Sequence, residues 1–215
     1  PAPPEIRRQF PGHEYMDIDV TSAEQVTRGA EGMDAIVILA VVRRDTVLAF
    51  QVNALGCYHV MQAAVKHGIR RVVNTGPHFT VAGPSYEHFD FGINPDVPPQ
   101  PGTGLYPITK SLGQEVCRVF TEEHDVHVQD LLFNSLQEER DLAPGRGGVP
   151  FVVSWPDAAR AVRLALEIDL VRLPSKCEVF FILGDLPQRK FLNEKAKRIL
   201  GFEPQGNVAR LFKRP

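Results

Sequence analysis

Tyr106 and Lys110 stand four residues apart in the stretch Tyr-Pro-Ile-Thr-Lys. On a helix that spacing puts a phenol and an ammonium one turn apart on the same face. A phenol with its ordinary pKa near 10 is a poor base at neutral pH. A cation held at about 4 Å in an effective dielectric of about 20 is worth roughly 4 kcal/mol, or about three pKa units. The pair therefore suits proton exchange with a hydroxyl or carbonyl near neutrality. A surface tyrosine beside a solvated lysine would show the same spacing, so the elements around the pair carry the decision.

Those elements alternate. Tyr15, Ile18 and Val20 read as a short strand, followed by a helix capped at Thr21 or Ser22 and reaching about Gly32. The uninterrupted apolar run from Ala35 to Val42 predicts a strand buried on both faces. Residues 46–67 read as a helix closed by Gly68, where a left-handed residue is needed. Asn53 lies inside it, although an amide that competes with the backbone is a poor interior helix residue. It is either an exposed polar residue or one with a task.

Further on, residues 70–75 and 126–133 read as strands, and residues 106–124 as a second long helix. The prolines between residues 84 and 101 force a loop, and residues 144–150 form a second, Gly-rich one. Ser154 and Asp157 resemble a capping box opening a helix over residues 158–167. A strand over residues 178–183 and a helix through Leu192, Ala196 and Ile199, stopped by Gly201, complete the pattern. Such alternation implies βαβ crossovers and a parallel sheet, hence an α/β fold.

Composition narrows the function classes. The 215 residues carry 24 basic and 26 acidic side chains, a net charge of −2, which offers no basic stripe for nucleic acid. The longest apolar run is too short to cross a membrane. Three cysteines, Cys57, Cys117 and Cys177, are odd in number and far apart, suggesting neither a disulfide framework nor a zinc knuckle. Cys57 and Cys117 read as small buried hydrophobes. His124 and His127 are close in sequence but straddle a helix end, so no metal site is expected. With no signal peptide ahead of the pattern, a reducing cytoplasm is the expected location.

Several stretches, in order, resemble the extended short-chain dehydrogenase/reductases of the NAD-dependent epimerase/dehydratase group: Asp17–Val20, Asp34–Ala40, Val52–Gly56, Arg70–Val73, Val81–Gly83 and Tyr106–Lys110. Phe151–Ala159 is similar to the segment that returns the chain to the sheet, and Gly201–Pro204 to the closing turn. The resemblance implies a Rossmann-like, doubly wound parallel sheet over residues 1–135. A small substrate-binding region over residues 136–215 returns a helix and a strand to that core. It implies NAD or NADP as cofactor, NAD ahead of NADP, and a sugar or nucleotide-sugar substrate. Tyr106 would be the acid/base, Lys110 would hold the nicotinamide ribose, and Asn53 would support a relay water. Asp19 and Val20 would flank the adenine, with Leu39 and Ala40 along the dinucleotide. The helices carrying Asn53 and Tyr106 would pair with those of a second copy in a homodimer.

Two departures stand out. No Gly-x-x-Gly-x-x-Gly loop occurs in the 215 residues, although backbone amides of such a loop normally meet the pyrophosphate. The glycines at 145, 147 and 148 read as a turn of the substrate region instead. The expectation is that the first βαβ element lies outside this sequence; the alternative is a protein that lacks it. Second, His78 stands where the group has Ser or Thr. An imidazole can donate one hydrogen bond or serve as a second acid/base near neutrality, or it can simply line a degenerate pocket. Both departures leave a second reading open: a non-catalytic, cofactor-sensing or scaffold protein.

Overall fold

The computed structural model describes residues 3–83 and 90–213. A short helix α1 (Pro4–Gln9) precedes an extended segment to Asp19. No strand forms over residues 15–20. With no ladder beside it, the segment turns its apolar side chains toward helices: Ile18 and Val20 fill the space that a Cβ on Gly29 or Gly56 would need. Helix α2 (Ala23–Ala30) is capped by Ser22, whose Oγ accepts from the Gln25 amide.

Strand β1 covers only Ile36–Ile38. The expectation of a long strand buried on both faces fails here, because the chain leaves the ladder at Leu39, which is 67% exposed. Asp45 caps α3 (Thr46–Phe50), accepting from the Leu48 amide at 2.8 Å. A π-turn (Gln51–Leu55), in which the Gly56 amide reaches Gln51 O, joins it to α4 (Gly56–His67). Gly68 closes α4 with φ of 69°, as a left-handed C-cap requires.

Next come β2 (Arg71–Pro77), α5 (Leu105–Glu123), β3 (His127–Phe133) and the short β4 (Ser135–Gln137). After these follow β5 (Val152–Ser154), α6 (Trp155–Glu167), β6 (Cys177–Phe181) and α7 (Glu194–Leu200). The expected loop over residues 84–101 falls partly on residues 84–89, outside the described ones.

The main sheet has the order β1-β2-β3-β6, all parallel, with Ile36 opposite Val72, Val73 opposite Gln129 and Gln129 opposite Glu178. Alternation along β2 sends Val72 and Val73 to opposite faces. Val72 joins Val60, Met61, Ala64 and Cys117 of α4 and α5. Val73 joins Ala161, Ala165, Phe180 and Phe202 on the α6 and α7 side. Helices on both faces are what a parallel sheet needs to be covered. β4 and β5 form a separate parallel pair that the sequence pattern did not reveal.

On the first face α5 crosses the π-turn closely. A Cβ on Gly113 would stand 2.2 Å from the Asn53 carbonyl oxygen and 2.9 Å from Cys57 Sγ, so this crossing requires glycine. Among the described residues no helix is long and apolar enough to cross a membrane.

Candidate active site

A cleft of about 520 Å³ opens at the carboxyl ends of β1, β2 and β3, where parallel α/β sheets take their ligands. Leu39 and Val41 form one wall, Thr75 and Pro77 the floor, and Trp155 and Val162 of α6 the far side. Tyr106 and Lys110, on the first turns of α5, both line it. Their spacing does here what it predicts: phenol and ammonium face one space.

Asn53 lies beneath this cleft, 1% exposed. Its Nδ2 donates to Val42 O at 2.7 Å and to Thr109 Oγ1 at 2.9 Å, while its Oδ1 accepts from the Val42 amide at 3.0 Å. Both N–H bonds are therefore used, with one carbonyl lone pair left over. Asn53 ties the strand-end segment around Val42 to the turn of α5 that carries Tyr106. The π-turn is what aims the amide sideways at both; such turns within helices recur at functional sites.

The electrostatics differ from the simple pair. Burial pushes the Tyr106 phenol above its ordinary value, and Arg43 opposes the rise. The Arg43 guanidinium stands 5.1 Å from the Tyr106 ring centroid. So the cation that acts on the phenol is Arg43, and desolvation outweighs it; the expected drop toward neutrality through Lys110 is not what the site holds. Burial pushes the Lys110 ammonium down, against the pull of Cys57, Asp130 and Cys117.

Asp130 lies in β3 behind Lys110 and accepts from Asn74 Nδ2 at 2.6 Å. Burial lifts its carboxyl to about 6, with Asn74 and Lys110 opposing. A raised folded value means that the folded protein binds this proton more tightly than the unfolded chain does. Stability is therefore highest below the unfolded value of 3.8 and falls as pH rises through about 6. Asp130→Asn removes this slope, and we expect urea melts to show it gaining up to about 3 kcal/mol on the wild type between about pH 4 and pH 7.

The other expected residues divide. Val20, Leu39 and Ala40 line a neighbouring apolar groove of about 310 Å³ along β1, and Leu39 borders both spaces. Asp19 turns to its own backbone, its Oδ1 accepting from the Thr21 amide at 2.9 Å and the Thr21 hydroxyl at 2.8 Å. His78 is not in the cleft. It lines a separate chamber, and burial, reinforced by Lys190, pushes its imidazole down to about 4. It is neutral at physiological pH, so the near-neutral titration expected of it does not occur.

No protein-family model matches the chain. Over 207 residues it is 23% identical to the NAD-dependent glucose-6-phosphate dehydrogenase of Haloferax volcanii, covering 89% of this chain and 75% of that protein. It is 30% identical over 112 residues to the uronate dehydrogenase of Agrobacterium fabrum, a match to 51% of this chain and only 41% of that enzyme. A short-chain dehydrogenase/reductase superfamily protein from Agrobacterium tumefaciens, solved with bound NAD, superposes with a TM-score of 0.69 at 17% identity, over 90% of this chain and 81% of that one. The chain therefore shares its fold with the short-chain dehydrogenase/reductases.

Within that dehydrogenase/reductase fold, the sequence missed three residues beside Tyr106 and the chamber. Arg43 carried no signal beyond following an apolar run. Phe79 stands edge-on to Tyr106 at 5.8 Å and edge-on to His78 at 5.3 Å, forming the wall between cleft and chamber. Lys190 lies in a loop whose position only the tertiary fold sets.

Proposed function

We propose that the protein is an NAD(P)-dependent oxidoreductase or epimerase acting on a sugar or nucleotide-sugar hydroxyl, with NAD ahead of NADP. One observation carries this reading: Tyr106 and Lys110 line a single cleft at the carboxyl ends of parallel strands. The named relatives, NAD-dependent or sugar-acid dehydrogenases, support it. The cleft and its buried ammonium fit the nicotinamide-ribose half of a dinucleotide, which when bound supplies the hydride acceptor. The 215 residues contain no glycine-rich loop of the usual form for the pyrophosphate.

In this reading Tyr106 Oη exchanges the substrate hydroxyl proton, and Lys110 holds the ribose hydroxyls. Asn53 positions both by fixing Val42 against Thr109. Leu39 and Ala40 run along the dinucleotide, Asp19 and Val20 lie at its adenine end, and residues 136–215 supply the substrate side. The test is a screen of aldoses, uronates and sugar phosphates for reduced dinucleotide. Reduction with any of them supports the reading. The phenol lifted by burial favours the second reading, a cofactor-sensing protein, which predicts dinucleotide binding with no reduction by any sugar.

The same reading pairs α4 and α5 with those of a second copy. Leu55 at the end of the π-turn, Tyr58 and Val65 on α4, and Leu112 and Val119 on α5 are exposed apolar residues, each 37–43% accessible. Light scattering is expected to give twice the chain mass of 23.9 kDa. Leu112→Glu buries a charge in that interface and is expected to give monomer; a wild-type monomer would remove the dimer.

A further inference from the structure

The chamber behind Phe79, of about 410 Å³, belongs to no step described so far. Its size suits a small-molecule site. Phe79, Phe191, Pro107 and Pro150 give it apolar walls, and His78 and Lys190 are the only polar side chains among the described residues lining it. His78 is 7% exposed; its ring stacks on Phe151 at 4.4 Å and meets Phe191 edge-on at 4.8 Å, which fixes its plane. Nδ1 is sealed off without a hydrogen-bond partner, so Nε2 is the nitrogen left to meet a ligand. Burial and the nearby Lys190 keep the ring neutral at physiological pH, with one N–H to donate. A buried polar group without a partner in an apolar space calls for a reason.

Lys190 is the second anomaly. Its neighbours along the chain are neutralised: Arg189 by Glu194, Lys195 by Asp96 and Glu178, and Lys197 by Asp185. Lys190 has no carboxylate among the described residues, and its Nζ stands 5.9 Å from the Phe191 ring centroid. One cation and one unpaired imidazole thus share an apolar space, where a charge interaction is stronger than in water. These two groups set the chemistry of an occupant. A sugar does not suit the chamber, because its hydroxyls would give up water against proline and phenylalanine with nothing to replace it. One lysine balances one charge, whereas a phosphate dianion would leave a second charge buried without a partner. What fits is a flat apolar body, whose ring gains from the aromatic walls, ending in a single carboxylate.

We propose that the chamber is a second ligand site, separate from the Tyr106 cleft, that takes an aromatic monocarboxylate with its ring against Phe79 and Phe191 and its carboxylate on Lys190 and His78. Lys190 neutralises the carboxylate, and His78 Nε2–H donates a hydrogen bond to it. Phe79 lines both spaces and divides them, so this ligand and the contents of the cleft are different molecules. The site does not rest on the sugar-oxidoreductase reading: dinucleotide binding in the cleft neither supports nor overturns it.

The experiment is calorimetric titration of 2-naphthoate into the wild type, Lys190→Gln, His78→Phe and Tyr106→Phe. Its uncharged counterpart 2-naphthalenemethanol, and D-glucuronate as a carboxylate on a polar body, are the controls. Lys190 is half-buried in a loop, and His78→Phe keeps a ring against Phe151, so the variants keep their fold, which circular dichroism verifies. The wild type is expected to bind 2-naphthoate about tenfold tighter than either control, the scale of one charge-assisted contact. Lys190→Gln and His78→Phe are each expected to lose about tenfold for 2-naphthoate while holding 2-naphthalenemethanol within about twofold. Tyr106→Phe is expected to bind 2-naphthoate as the wild type does. No binding of 2-naphthoate by the wild type overturns the proposal, as does an affinity that survives either chamber substitution. So does glucuronate bound as tightly as 2-naphthoate, or loss of 2-naphthoate in Tyr106→Phe, which would put the ligand in the cleft instead.

Discussion

Tyr106→Phe is expected to lower turnover by about 10²- to 10⁴-fold, the usual share of a positioned acid/base, while leaving dinucleotide affinity within about twofold. The substitution removes only the hydroxyl. The ring keeps its edge contact with Phe79 at 5.8 Å and its place under the Arg43 guanidinium at 5.1 Å, so the cleft wall stays as it is. Because burial lifts the phenol, the wild-type oxidation rate is expected to rise with pH above neutrality as the phenolate fraction grows. The variant should lose that rise. Steady-state rates across pH, beside a dinucleotide titration, check both; retained turnover in Tyr106→Phe removes Tyr106 from the reaction.

Asp157→Ala is expected to cost about 3–5 kcal/mol, the scale of breaking a buried, fully bonded charge, and to lower Tm by roughly 10 °C. The carboxylate is 1% exposed and joins three parts of the chain. It accepts from Ser154 Oγ at 2.8 Å at the start of α6, from Arg160 at 2.7 Å one turn on, and from the Gln205 and Gly206 amides at 2.9 and 2.8 Å. Burial alone would raise its pKa, but the Gln205, Gly206 and Ser154 hydrogen bonds and Arg160 hold it below the ordinary value. Its contribution is therefore present above the unfolded value of 3.8 and is lost as pH falls through the lower folded one. Alanine leaves the Gln205 and Gly206 amides without their acceptor and takes from the Arg160 guanidinium its carboxylate partner, leaving it Glu203 O and Gln205 Oε1. It also loosens the helix that carries Trp155 and Val162 into the cleft. Thermal melts at neutral pH measure the loss. Asp157→Asn, which keeps an acceptor without the charge, is expected to fall between alanine and wild type, and an alanine melt within about 2 °C of wild type would contradict this role.

The sequence made the helices and the long strands legible because each is a local pattern with a local stop. Residues 46–67 end at Gly68 with its φ of 69°, and residues 194–200 end at Gly201 with 70°. Ser154 and Asp157 form the reciprocal cap that their spacing suggested. Patterns that depend on a neighbour were misread. An apolar alternation over Tyr15, Ile18 and Val20 makes a strand only beside a ladder, and none lies there. Ala35–Val42 has a strand's composition, but β1 has a partner on one side only, β2, and pairs for three residues. The β4–β5 pair joins residues 135–137 to 152–154, too short and too polar to show a period.

In the candidate site, spacing along one helix was enough to bring Tyr106 and Lys110 together. The contents of the space they face were not legible, because Arg43, Phe79 and Lys190 arrive from three separate loops or strand ends. The direction of the Tyr106 shift differs from the expected one for the same reason: burial, which sequence does not show, outweighs the cation beside the phenol, and that cation is Arg43 rather than Lys110. His78 stood out by residue type alone. Its stack on Phe151 and its edge contact with Phe191 join residues 73 and 113 positions away in sequence, and only the fold brings them together.

The most direct test of the central claim is native mass spectrometry of the protein titrated with NAD, run in parallel on the wild type, Tyr106→Phe and Lys110→Met. One dinucleotide per chain is expected in the wild type and in Tyr106→Phe, and its loss in Lys110→Met, since Lys110 is 2% exposed and lines the cleft. A wild type that binds no dinucleotide, or a Lys110→Met variant that binds it as well as the wild type, would contradict the claim that this cleft holds the cofactor.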